Sequence, residues 1–231
     1  MLGRKSESVL HEYQIERNTE GFLREHKYCF ALCSSTDSDR LASFHAACKN
    51  TGRVFCVDKY QKGILDVFSQ YAGRWSGIYR FDHTFELIKR DSPKVMDKLS
   101  REGFLMPIRM SGEDTVRKMI GIYADEPAWL IYSMWSGYSE QGKDYTMNEV
   151  LDIRSIFGDR ILDGTKDGVH TSGHADVGAL QEVCSMVNPK IGVIPIHKEN
   201  GARYDSLPNV DGYRIFTEGY HVIDNIKIVV K

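Results

Sequence analysis

The feature that most constrains this chain is a repeated order of short apolar run, turn and helix-patterned segment. The first unit is "YCFALC" at 28–33, a Ser/Thr turn, then Leu41, Phe44, His45 and Cys48 at helical spacing, closed by Gly52. The second is "VFCVD" followed by "KYQKGILDVFSQYAG". Uninterrupted apolar runs suit strands buried on both faces, so this alternation predicts an α/β fold whose mainly parallel sheet carries helices on both sides. "FLMPIRM" and "AWLIYSMW" add two strand candidates, separated by the helix-like "SGEDTVRKMIGIY", whereas residues 74–103 read as short helices and turns.

The two ends of the chain have a different texture. Residues 6–25 predict a helix with a thin apolar stripe. A helix-like run ends near Phe157, and "DGVHTSG" at 167–173 reads as a strand. A helix then carries Val177, Leu180, Val183, Cys184 and Val187 on one face, with Asp176 as N-cap and Asn188-Pro189 as its stop. "IGVIPI" is expected to be a buried strand ending at His197, and the tail alternates like an antiparallel hairpin turning at Glu218-Gly219.

With 231 residues, 42% of them hydrophobic, the chain can bury a full core. A formal charge of -2 and a pI near 6.4 exclude a strongly basic surface, while a local basic groove remains open. The five cysteines sit mainly in apolar contexts without C-x-x-C spacing, which suits reduced thiols in the cell interior. The N-terminus lacks the apolar core of a signal peptide, and no apolar run approaches the roughly 18 residues of a membrane span. These traits predict a soluble, cytoplasmic protein without a membrane partner.

Three places could carry chemistry. His174 follows a Ser-Gly turn and His197 ends the next apolar run, so parallel pairing puts both at the carboxyl edge of the sheet, with His170 nearby. Such histidines suit zinc or manganese, or proton transfer beside a metal; equally, each could cap a strand. "CSSTDSDR" ends a strand and opens a helix, so Ser34, Ser35 and Thr36 offer hydroxyls and backbone N–H groups to an anion, with Arg40 one turn on, or Ser35 or Thr36 simply caps the helix. "GRWSGIYRFD" joins Arg74, Trp75, Tyr79, Arg80 and Phe81, a mixture that can stack on unpaired bases or pack a core. Trp135 has the same two uses. No G-x-G-x-x-G, Walker-type loop or G-x-S-x-G elbow occurs, which argues against dinucleotide binding, nucleoside triphosphate binding and the α/β-hydrolase fold.

"HTSGHAD", an amphipathic run and "PKIGVIPIHKEN" in that order resemble the C-terminal signature of β-CASP nucleases within the metallo-β-lactamase fold, a group that includes ribonuclease J. "CSSTDSDRLASFHAACKN" and "VFCVDKYQK" are similar to the opening strands of the β-CASP insertion. The resemblance implies a linking helix at 1–25, a β-CASP domain at 26–165 and a C-terminal metallo-β-lactamase segment at 166–231. It further implies that Glu16 is the motif A acid, with Glu12 one turn away, that His174 is the motif B histidine and that His197 is the motif C zinc ligand. Ser172 and Gly173 would lie by substrate phosphate.

The H-x-H-x-D-H motif of active relatives does not occur in this sequence, and Lys198 stands where ribonuclease J has glycine. One ligand cannot hold a two-metal center. The resemblance therefore implies part of a metal-dependent RNA phosphodiesterase, inactive as an isolated chain, with zinc or manganese absent or weakly bound. Its partners would be RNA, the metallo-β-lactamase half or a second copy. The alternative is a non-catalytic module that holds single-stranded nucleic acid or a protein through Arg74, Trp75 and Tyr79. A weaker third reading is a flavodoxin-like domain for a small anion, with "SSTDSDR" as its phosphate loop.

Overall fold

A computed structural model describes residues 10–88, 92–164, 166–171, 176–195, 215–216, 219–223 and 226–230. The chain divides into two compact units, Leu10–Thr171 and a second made of Met1–Val9 with Ser172–Lys231.

The larger unit is an α/β layer structure. Its elements in chain order are α1 (Glu12–Glu25), β1 (Tyr28–Leu32), α2 (Ser38–Thr51), β2 (Val54–Val57), α3 (Lys59–Tyr71), β3 (Thr84–Glu86), α4 (Pro93–Glu102), β4 (Phe104–Ile108), α5 (Glu113–Ile122), β5 (Trp129–Tyr132), α6 (Asn148–Phe157) and β6 (Ile161–Asp163). The six strands are all parallel in the order β3-β2-β4-β1-β5-β6.

Strand alternation sorts the side chains into two cores. Tyr28, Phe30 and Leu32 of β1 face one way and pack with Leu99 of α4, Met119 of α5 and Ile153 of α6. Cys29 and Ala31 face the other way, against Ile15 of α1, Phe44 of α2 and Leu65 of α3. A strand buried on both faces must be apolar at every position, which is why "YCFAL" shows no polar residue.

The ends of the helices follow local rules. Asp37 caps α2 by accepting from the Arg40 N–H at 3.1 Å, and Gly52 ends it in the left-handed conformation, φ 71°. The cap is therefore Asp37, not Ser35 or Thr36, because the carboxylate stands one residue nearer the first turn.

Several expected elements fall elsewhere. The segment expected to hold only short helices and turns contains α4 and the edge strand β3. The strand expected at 167–173 is absent over its described part. The edge strand is β6, six residues earlier, and 166–168 form a turn instead. α1 begins at Glu12, later than expected.

In the second unit, α7 (Val177–Val187) forms as expected, with Asp176 accepting from the Ala179 N–H at 2.8 Å and Asn188 as a left-handed C-cap. "IGVIPI" is not a buried strand over its described residues. Val193 makes a single parallel bridge to Ile215, and Ile191 and Ile194 are exposed. The tail is an antiparallel hairpin of β7 (Gly219–Ile223) and β8 (Ile226–Val230), connected through residues 224–225 rather than at Glu218-Gly219. Among the described residues, no helix is long and apolar enough to cross a membrane.

Candidate functional site

The carboxyl edge of a parallel sheet is where chain ends and helix N-termini gather, and here the register brings three such ends level. Leu32 pairs with Tyr132, and Tyr132 with Asp163, so Cys33, Ser133 and Gly164 each begin the excursion beyond their strand. The Ser133 N–H still donates to the Leu32 carbonyl at 3.0 Å.

The segment after β6 folds back on itself. Asp163 N–H donates to the Asp167 carboxylate at 2.6 Å, and the N–H groups of Val169 and His170 converge on the Gly164 carbonyl at 2.8 and 3.2 Å. A Cβ on Gly164 would stand 2.9 Å from His170 Cβ and 3.0 Å from the Tyr132 carbonyl, so only glycine admits this reversal. The result delivers His170 to the sheet edge.

Arg40, in the first turn of α2, is the center of what gathers there, and its side chain is only 1% exposed. Its guanidinium grips Glu12 of α1 in a two-point fork, Nη2 to Oε1 at 2.9 Å and Nε to Oε2 at 3.2 Å. Nη1 donates to the Ser133 hydroxyl and meets His170 Nδ1 at 3.2 Å. The Ser133 hydroxyl donates in turn to the Val169 carbonyl at 2.6 Å, and Ser43 donates to Glu12 Oε2 at 2.8 Å. Arginine and carboxylate present a matched fork, so the pair gains direction as well as charge.

This wiring fixes the protonation of His170. A guanidinium only donates, so Nδ1 must be the bare, accepting nitrogen and the ring proton sits on Nε2. Burial, followed by the Arg40 cation, pushes His170 down to about 4. The ring is neutral near pH 7, and cannot serve there as an acid without leaving Arg40.

The expected site residues fall into three groups. Ser172, Gly173, His174 and His197 lie outside the described residues, although Thr171, the last described residue before the Ser-Gly-His segment, follows directly on the anchored His170. Glu16 points away from this edge, accepting from Asn50 Nδ2 at 3.2 Å toward the end of α2; burial and then Glu20 raise its carboxyl. It is Glu12, one turn earlier, that meets Arg40, and Arg40 in turn reaches His170. Ser34 and Thr36 are exposed and face each other at 3.2 Å, and the Ser35 carbonyl accepts from Gln61 at 3.1 Å. They remain beside the start of α2, but Arg40 is committed to Glu12 and is not available to an anion.

Arg74 and Trp75 stand apart, in the connection from α3 to β3. Trp75 is 90% exposed, so it does not serve as core. Trp135 lies against Tyr138 and Tyr145, at 5.3 and 4.9 Å between ring centroids, which is packing rather than an open platform. Cys33 is buried at the same edge as Arg40, and burial pushes its thiol up to about 12, far from a reactive thiolate.

Ser43 and Ser133 were not visible as site residues in the sequence, and Glu12 appeared only as the neighbor of Glu16. The other signal was Arg40 itself, a charged residue directly before the apolar-patterned "LASF". Among the described residues, no three His, Cys, Asp or Glu side chains come together to hold a metal ion. Compared with known proteins, the chain matches no family model and no curated protein.

Proposed function

We propose that this chain is the β-CASP and C-terminal portion of a metal-dependent nucleic-acid phosphodiesterase, supplying phosphate positioning rather than the metal center. The observation that carries the reading is the anchored base of the Ser-Gly-His segment. His170 and Val169 are tied through Arg40 and Ser133 to two helices and the sheet edge, directly before Thr171, Ser172, Gly173 and His174. A loop that must hold a histidine against a scissile phosphate needs a rigid root of this kind.

Within that reading, Ser172 and the backbone at Gly173 contact phosphate, and His174 orients or protonates an oxygen of the scissile group. The exposed hydroxyls of Ser34 and Thr36, at the end of β1, stand on the same sheet edge as this root. Among the described residues no three His, Cys, Asp or Glu side chains come together to hold a metal. His197 would be this chain's single contribution to a center held by the half with H-x-H-x-D-H. The resemblance of "HTSGHAD" and "PKIGVIPIHKEN" to the family signature and the parallel six-stranded sheet both support this reading.

The test is cleavage of 5′-monophosphorylated single-stranded RNA with zinc or manganese. The purified chain alone is expected to leave the RNA intact. Supplying a metallo-β-lactamase half with H-x-H-x-D-H is expected to produce cleavage that His174→Ala removes. Metal-dependent cleavage by the chain alone, abolished by His197→Ala, would overturn the proposal.

A further inference from the structure

The connection from α3 to β3 is unusual in being tightly anchored while exposing its largest side chain. Phe81 is buried against the α2–α3 side of the sheet, and both it and His83 take left-handed backbone angles, φ 47° and 66°. Non-glycine residues adopt that region only when their surroundings hold them there. Those surroundings are explicit. Tyr79 donates to Asp39 of α2, His45 pairs with the Asp82 carbonyl, and Ser69 donates to the Arg80 carbonyl at 2.6 Å.

On this fixed base, Trp75 is 90% exposed, and Tyr71, four residues earlier, is 66% exposed. Successive turns join them, with the N–H groups of Trp75 and Ser76 both donating to Ala72, at 3.0 and 3.2 Å. Folding gains nothing from a large indole left in water on a rigid turn.

Two cations stand on the same segment. Arg74 is adjacent in sequence, and Arg80 lays its stem over Gly73, where a Cβ would stand 3.4 Å from Arg80 Cγ. Both arginines are exposed, and no hydrogen bond or ion pair among the described residues engages either guanidinium. Of the two acids at the segment, Asp39 is taken up by Tyr79, and among the described residues the Asp82 carboxylate makes no ion pair with either arginine. A cation near the C-terminus of α3 is favored by the helix dipole, which accounts for Arg74 but not for the exposed indole beside it.

We infer that Trp75, with Arg74 and Arg80, is a stacking platform for an unpaired nucleotide of single-stranded RNA, separate from the Arg40 cluster. An exposed indole offers its face to any base, and two unpaired arginines on the same segment supply cations for the phosphates that flank that base. A protein partner would bury the same indole but gives no reason for two unpaired arginines beside it. The choice of RNA rests on the proposed function, whereas the stacking geometry does not.

The test is fluorescence anisotropy of a labeled oligouridylate with the full chain, across a salt series. Trp75→Ala is expected to weaken binding about tenfold to a hundredfold, and Trp75→Phe to retain most of it, as for one stacked base. Arg74→Ala with Arg80→Ala is expected to lower the salt slope by about 1.4, from two single-strand phosphate contacts. Because all three residues are exposed, the variants should melt as the parent does.

Equal affinity of Trp75→Ala and parent, or no oligouridylate binding by the folded parent, would overturn the inference. Binding that depends on Trp75, together with no cleavage by the rejoined protein, would uphold the platform while removing the phosphodiesterase reading.

Discussion

Replacing Glu12 by Gln keeps the shape of the Arg40 cluster and removes only the charge that balances it. The Arg40 side chain is 1% exposed and that of Glu12 is 29% exposed, so the cation is left nearly dry while the amide that replaces its partner stays half wet. Breaking a buried pair by removing one partner costs about 3–5 kcal/mol. Because Arg40 keeps Ser133 and His170, and water can reach the position of Glu12, the low end applies, about 3 kcal/mol. Glu16→Gln is the control. Its contact with Asn50 is solvent-exposed, and its loss should fall within about 0.5 kcal/mol.

Urea unfolding followed by tryptophan fluorescence measures the difference cleanly. All three tryptophans, Trp75, Trp129 and Trp135, lie in the Leu10–Thr171 unit, so the signal reports that unit alone. With a slope of about 2 kcal/mol per molar urea, Glu12→Gln should lower the midpoint by about 1.5 M. The double variant Glu12→Leu with Arg40→Met should recover much of that loss, because an apolar pair of similar volume no longer buries a charge. Equal midpoint shifts for Glu12→Gln and Glu16→Gln would refute the argument.

Two further perturbations probe the same unit. His170 titrates in the unfolded chain near its ordinary 6.5 but near 4 when folded, so the unfolded state binds the extra proton between those values. Its contribution to stability is therefore complete above about pH 6.5 and is lost as the pH falls toward 4. His170→Gln, whose amide oxygen can still accept from Arg40, should show a shallower decline of urea midpoint from pH 7 to 4.5, and an unchanged slope would contradict the burial argument. Gly103 has φ 68° and ψ 173°, and a Cβ there would stand 2.5 Å from the Lys27 carbonyl and 2.8 Å from Arg53 Nη1. Gly103→Ala should cost about 3 kcal/mol, against about 1 kcal/mol for Gly52→Ala, whose site is open, and thermal melts of the two variants decide it.

How much of this was legible in the sequence depended on how far each signal reaches along the chain. β1, β2, β4 and β5 were visible because four or five consecutive apolar residues have little else to be. β3 and β6 are three-residue edge strands with half-buried side chains, so neither a run nor an alternation had room to develop. "DGVHTSG" misled for the opposite reason. Val169 is buried like a strand residue, yet Gly168 at φ 68° turns the chain just before it. The polar start of α2 could be read locally, whereas the Arg40 cluster joins residues 28, 93 and 130 positions apart, and no local pattern announces such a meeting.

The Arg40 cluster also ties off the larger unit where the backbone enters and leaves it. Glu12 stands two residues after the first residue of that unit, and His170 one residue before its last; Leu10 lies against Gly168, and the Gly168 carbonyl accepts from Asn18. Entry and exit are thus adjacent, in the manner of an inserted module whose two ends meet. A host loop would not have to stretch to accept such a module, and the closure entropy it adds is small because its ends are already held together. Residues 10–171 could accordingly be transplanted between unrelated hosts with short connectors, keeping their fold wherever the two attachment points are a few residues' span apart.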